Sequence, residues 1–186
     1  MVPLMQLWLP ILLSAVFAFV ASSLIHMALK YHNSDYHGLP NEDEVRATIT
    51  KGAPAPGQYV IPYCSDHKDM GSEAMQTKFK EGPVGFLILR APGPMSMGAS
   101  LFQWFLFCLL VSFFSGYLGA ATLKAGVHYL QVFQVVGTAA FMGYGLGLIP
   151  MGIWWGQPWR SVAKGILDAL IYACLTAGAF GWLWPH

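Results

Sequence analysis

Lys164 and Asp168 stand four residues apart inside an otherwise apolar stretch. On a helix that spacing puts both on one face. An aspartate near the centre of a membrane segment costs roughly 2.5–3.5 kcal/mol to insert. Such a carboxylate is either half of a local ion pair, with the lysine stem reaching out to the headgroups, or a protonatable or ion-binding site. A second polar set is His128, Gln131, Gln134 and Thr138. These residues fall close to one face of another apolar stretch. Polar groups in hydrocarbon need partners, so this face is expected to look into a helix bundle. Interhelical hydrogen bonds account for it, and so does a solute path.

Cys64, His67 and Met70 form a C-x-x-H-x-x-M run, and thiolate, imidazole and thioether are soft ligands that suit copper. The run resembles the ligand loop of small blue-copper proteins, which implies a further histidine from upstream, such as His32 or His37. That fold needs about 100 residues of β-sandwich, and the polar segment here has room for two strands. A metal site is therefore not favoured, and no cofactor is expected. The last set is His26, Tyr31, His32, Asp35, Tyr36 and His37, where the first apolar run gives way to polar sequence. Tyrosine and histidine suit a headgroup level because each is half apolar. No G-x-S-x-G, H-E-x-x-H, Walker A or G-x-G-x-x-G motif occurs, so no catalytic residue is named and the balance leans against an enzyme.

The elements that must position these residues are long and apolar. Gly165, Ala169, Ala173, Ala177 and Gly181 recur at every fourth position and form a ridge without bulky side chains. Lipid tails give helices no hydrophobic drive to associate, so such a ridge predicts close packing on a neighbouring helix. Gly143 with Gly147, and Gly152 with Gly156, make two G-x-x-x-G pairs of the same kind. The predicted fold is all-α in the membrane: four transmembrane helices in a compact bundle over 4–29, 98–123, 127–155 and 161–184. A small α+β insert, 30–97, lies between the first two. Pro150 should kink the third span near its end. A cleaved leader is the rival reading of 4–29, but the basic segment that precedes such leaders is missing.

Within the insert, Asn41 should cap a helix running to about Lys51, and Ser72 a second one ending at Glu81. Short strands are expected over 58–63 and 84–90. The residues are 55% hydrophobic and 10% charged, with net charge +1. Soluble domains carry roughly 25% charged residues. Without a basic cluster, nucleic acid is not an expected partner. The expected partners are the bilayer and other membrane subunits or further copies of the chain. Lys30, Arg90, Arg160 and Lys164 flank the membrane on the insert side, against Lys124 alone on the other. The insert should then be cytoplasmic and both termini outside.

The junction 26–45, with Pro56–Pro62 and Glu81–Gly85, resembles a group of small bacterial inner-membrane proteins. That resemblance implies four spans and a bacterial cytoplasmic membrane, and carries no activity. The leading expectation is a non-catalytic accessory, scaffold or assembly component of a membrane complex. The alternatives are a small proton, ion or solute carrier using Asp168, and copper binding through Cys64, His67 and Met70.

Overall fold

Small residues decide how the first span packs. In the computed structural model, which describes Met1–His186, the chain is helical over Leu4–Leu29, with α1 at Trp8–Leu24 as its regular part. Leu7, Ser14, Ala15, Ala18, Ser22 and Ile25 are buried, whereas Trp8, Leu12, Val16, Val20 and Leu24 are exposed. Bulky apolar groups outside and small or polar ones inside reverse the pattern of a soluble helix. The helices α4 (Met97–Thr122), α5 (Tyr129–Tyr144) and α7 (Trp159–Trp182) complete the bundle. They form a closed ring: α1 packs on α4, α4 on α5, α5 on α7 and α7 on α1. Four helical stretches are long and apolar enough to cross a membrane: Leu4–Leu29, Met97–Thr122, Tyr129–Trp154 and Trp159–Trp182.

The ridge on α7 lies against α5. A Cβ added to Gly137 would stand 3.0 Å from Ala177 Cβ, and one on Gly145 3.0 Å from Ala169 Cβ. At the two ends, a Cβ on Gly165 would meet Leu148 at 2.9 Å and one on Gly181 the Tyr129 ring at 2.6 Å. Ala173, also on this face, is buried. These approaches leave no room for a larger residue on either helix. The G-x-x-x-G pairs behave differently. Gly143 packs on Val111 of α4 and Gly152 on the Trp159 ring, but Gly147 and Gly156 meet nothing within 4 Å. Neither pair forms a two-glycine contact in the bundle, and Gly156 instead sits at φ 71 in a turn, which glycine alone adopts without strain.

The third span is not one helix kinked by its proline. It breaks at Gly145, passes through a tight turn at Leu146–Leu148 and restarts as α6, Ile149–Trp154. Pro150 therefore lies in the first turn of a new helix, where its missing N–H costs nothing. The polar stripe also departs from expectation. The buried face of α5 is Val132, Val136, Ala140 and Tyr144, and Gln131, Gln134 and Thr138 are exposed. The four apolar positions recur at i+4 and match the small ridge of α7, so packing density rather than polar pairing selects the inward face. His128 is exposed and caps α5, its Nδ1 accepting from Leu130 N–H at 3.2 Å.

Residues 37–95, with Ile153–Gly156, make a second unit. It contains α2 (Glu42–Gly52), β1 (Gly57–Ile61), α3 (Glu73–Glu81) and β2 (Gly85–Leu89), the two strands pairing antiparallel from Gly57↔Leu89 to Ile61↔Gly85. Ser72 caps α3 by accepting from Met75 N–H at 3.3 Å. Asn41 precedes α2 but makes no cap bond; its amide donates to Glu44 instead. Met75 is the only buried side chain in this unit.

Candidate functional site

Span one ends in a way that its sequence does not announce. Ile25–Leu29 forms a wide π-type turn, Lys30 takes a left-handed conformation at φ 54, and Tyr31–Asp35 continues as a tight 3₁₀ turn. A π turn rotates the side chains of a helix out of their ordinary register, and such turns are frequent at functional sites. The left-handed residue then folds the chain back, bringing Tyr31, His32 and Asp35 against the first turns of α7.

Asp168 receives them. It is 4% exposed and lies nine residues into α7, about 13 Å along the helix axis. The Tyr31 hydroxyl donates to its Oδ1. His32 Nε2 lies 2.8 Å from Oδ2, and His26 Nε2 lies 3.8 Å from the same oxygen. His32 is held from its other side as well, Nδ1 lying 2.7 Å from Asp35 Oδ2. The imidazole thus bridges two carboxylates on elements more than 130 residues apart. The rings of His26 and Tyr31 flank His32, with centroids 4.6 and 4.4 Å from it.

Lys164 is not the ion-pair partner of Asp168. Its ammonium donates to Asp35 Oδ1 at 2.6 Å, to the Tyr31 carbonyl at 2.7 Å and to Ser34 Oγ at 2.9 Å. Three oxygens at the end of span one outcompete the carboxylate four residues along its own helix. The Lys164 ammonium holds the Asp35 carboxyl at about 2, well below the usual carboxylate range, with the His32 and Ser161 hydrogen bonds adding to the effect against the opposing desolvation. A buried carboxylate is tolerated where charge and hydrogen bonds meet it. Here Lys164 and Asp35 offset each other, which leaves the Asp168 charge facing two imidazoles. His26 stands at the edge of the site, its side chain 51% exposed.

Behind Asp168 a few polar side chains are set into an apolar core that includes Ala15, Ala18, Cys108, Val111, Ala140 and Ala173. Tyr172 and Thr176, four and eight residues along α7, are buried and neither hydroxyl has a hydrogen-bond partner in the protein. Ser14 donates to Ser112 at 3.0 Å across the α1–α4 contact, and Trp104 Nε1 donates to Ser22 Oγ at 2.7 Å. Toward the termini the interior becomes wholly apolar, with Leu7, Val132, Val136, Phe180 and Trp184 packed together.

Of the residues singled out in the sequence, the structure joins His26, Tyr31, His32, Asp35, Lys164 and Asp168 into this one site. Tyr36 and His37 are exposed and outside it, and His128, Gln131, Gln134 and Thr138 contribute nothing to it. Cys64 donates its thiol to the Asp66 carbonyl at 2.9 Å. The one cluster of three or more His, Cys, Asp or Glu donors is His26, His32 and Asp168. Ser34, Tyr172 and Thr176 were not foreseen. Their signal was present, since Asp168, Tyr172 and Thr176 lie at i, i+4 and i+8 on the ridge-bearing helix. Comparison with protein-family models, curated proteins and solved structures finds no match to this chain.

Proposed function

We propose that the chain is a multi-pass membrane protein that binds a cation at Asp168 and works as a small ion carrier. The observation that carries this reading is the buried Asp168 carboxylate, with the half-exposed His26 on one side and the unpartnered Tyr172 and Thr176 hydroxyls farther along α7. On this reading the row of polar groups from Asp168 to Thr176, ending at an apolar cluster, marks the ion's path in one closed state of an alternating-access cycle. The plug of Phe180, Val136 and Trp184 is then the gate that has to loosen. The location consistent with this reading is the bacterial inner membrane. Lys30, Arg90 and Arg160 against Lys124 favour a cytoplasmic site, with Lys164 now counted as part of the site. The experiment is cation uptake by proteoliposomes. Asp168→Asn should abolish uptake while leaving folded protein in the bilayer, and uptake at the wild-type rate would remove Asp168 from the mechanism.

A second reading, an accessory or assembly component of a larger complex, is favoured by the insert. Its only buried side chain is Met75, while Val84, Phe86 and Ile88 are exposed. A groove of about 440 Å³ lined by Val45, Ile49, Ile61 and Phe86 runs along α2 and the sheet. Gentle purification at native expression tests it. A defined heteromeric complex supports it, and a chain isolated alone argues against it.

A further inference from the structure

The proposed function leaves the ion's identity open, and the donor set narrows it. Resting on that reading, we propose that His26, His32 and Asp168 form a binding site for a divalent transition metal ion of the zinc or cobalt class. Their ligand atoms all lie within 4.8 Å of one another. A tetrahedral ion with ligands at about 2.0–2.1 Å needs donors roughly 3.3 Å apart. The His32 and His26 nitrogens lie 2.8 and 3.8 Å from Asp168 Oδ2, on either side of that separation. Side-chain shifts of about half an ångström bring these two nitrogens to coordinating separation from Oδ2.

The surroundings match the chemistry of such a centre. Two imidazole nitrogens and one carboxylate oxygen select a borderline metal over calcium or magnesium, which prefer oxygen ligands throughout. Asp35 holds Nδ1 of His32 at 2.7 Å, so that Nε2 is the nitrogen presented to the ion. A carboxylate behind a ligating histidine fixes its tautomer and raises its basicity. Tyr31 occupies Oδ1 of Asp168 and leaves Oδ2 as the single coordinating oxygen. Lys164 neutralises Asp35, so the charge that meets the metal is that of Asp168. Three protein donors and an exposed edge at His26 leave a fourth position for water, the arrangement of an open rather than a sealed site. An ion that must be released again needs that opening. The cysteine-bearing run in the insert has no such cluster.

The test uses the full-length protein purified in detergent and stripped with chelator. Zn²⁺ binding is followed by calorimetry and Co²⁺ binding by its visible absorption. The expected result is one ion per chain, with a Co²⁺ spectrum of low coordination number. His26→Ala, at a half-exposed side chain, should weaken binding at least about 100-fold in protein whose melting curve shows it folded. Asp35→Asn, which touches no metal, should weaken it about 10–100-fold by loosening His32. Cys64→Ser with His67→Ala should bind as wild type. Wild-type affinity in His26→Ala, or loss of binding in the Cys64 and His67 variant, would overturn the proposal. The carrier reading is separable from it. Absent metal binding with Asp168-dependent uptake of another cation removes the metal and keeps the carrier. Metal bound at the triad without uptake of any ion does the reverse.

Discussion

Removing His32 should destabilise the bundle through the carboxylate it leaves behind. His32 is the nitrogen partner nearest to Asp168 Oδ2, at 2.8 Å, and Asp168 is 4% exposed. Breaking a buried charged pair by deleting one partner costs about 3–5 kcal/mol, because the remaining charge stays in a low dielectric. For a chain of this size each kcal/mol moves the melting temperature by about 2–4 °C, so His32→Ala should lower it by about 6–20 °C. The cost should shrink if the charge is removed first. In an Asp168→Asn background the amide still accepts from Tyr31 and is neutral. His32→Ala should then cost only the ordinary loss of a hydrogen bond and some packing, about 1–2 kcal/mol. The coupling between the two substitutions is accordingly about 1–4 kcal/mol. Thermal unfolding of the four proteins in detergent, read from the fluorescence of the seven tryptophans, measures it. Equal costs of His32→Ala in both backgrounds would refute the argument, since the histidine would then not be compensating a buried charge.

Other expectations follow from single contacts. Gly116→Ala should destabilise by about 1–2 kcal/mol, since overpacking outweighs the gain in helix propensity: the new Cβ would stand 2.9 Å from the fully buried Phe180 ring. Gly147→Ala, which meets nothing within 4 Å, should be neutral or stabilising by up to about 1 kcal/mol; paired melting curves check both. Asp35 titrates at about 2 when folded and near 3.8 when free, so folding lowers its proton affinity. Its contribution is whole above about pH 4 and is lost as pH falls from there toward 2. The gap in melting temperature between wild type and Asp35→Asn should narrow as pH falls below about 4. Lys30→Gly should stabilise by up to about 1 kcal/mol by relieving the left-handed backbone; a lower melting temperature would count against strain at that residue.

Much of the bundle was legible because hydrocarbon-length apolar runs and a four-residue small-residue period are local signals. The ridge from Gly165 to Gly181 required a close neighbour and has one in α5. The inward face of α5 was misread because polar residues were assumed to turn inward. The apolar set Val132, Val136, Ala140 and Tyr144 fills that space instead. The site was legible in its parts and not as a whole. Lys164 and Asp168 looked like each other's partners because their spacing fits one helix face. The contacts that separate them come from Tyr31 and Asp35, reached only through a π turn and a left-handed Lys30 that no propensity at those residues predicts. Chain separations of about 130 residues carry no periodic signal.

The central claim is that Asp168 receives a cation, and the most direct measurement is ligand-induced stabilisation. Melting curves of wild type and Asp168→Asn would be recorded against increasing Na⁺, K⁺, Mg²⁺, Ca²⁺, Co²⁺ and Zn²⁺. A bound ion at about 100 times its Kd adds about 2.7 kcal/mol. The account predicts that at least one cation raises the wild-type melting temperature in a saturable way and leaves Asp168→Asn unmoved. Parallel behaviour of the two proteins across all six ions would contradict it.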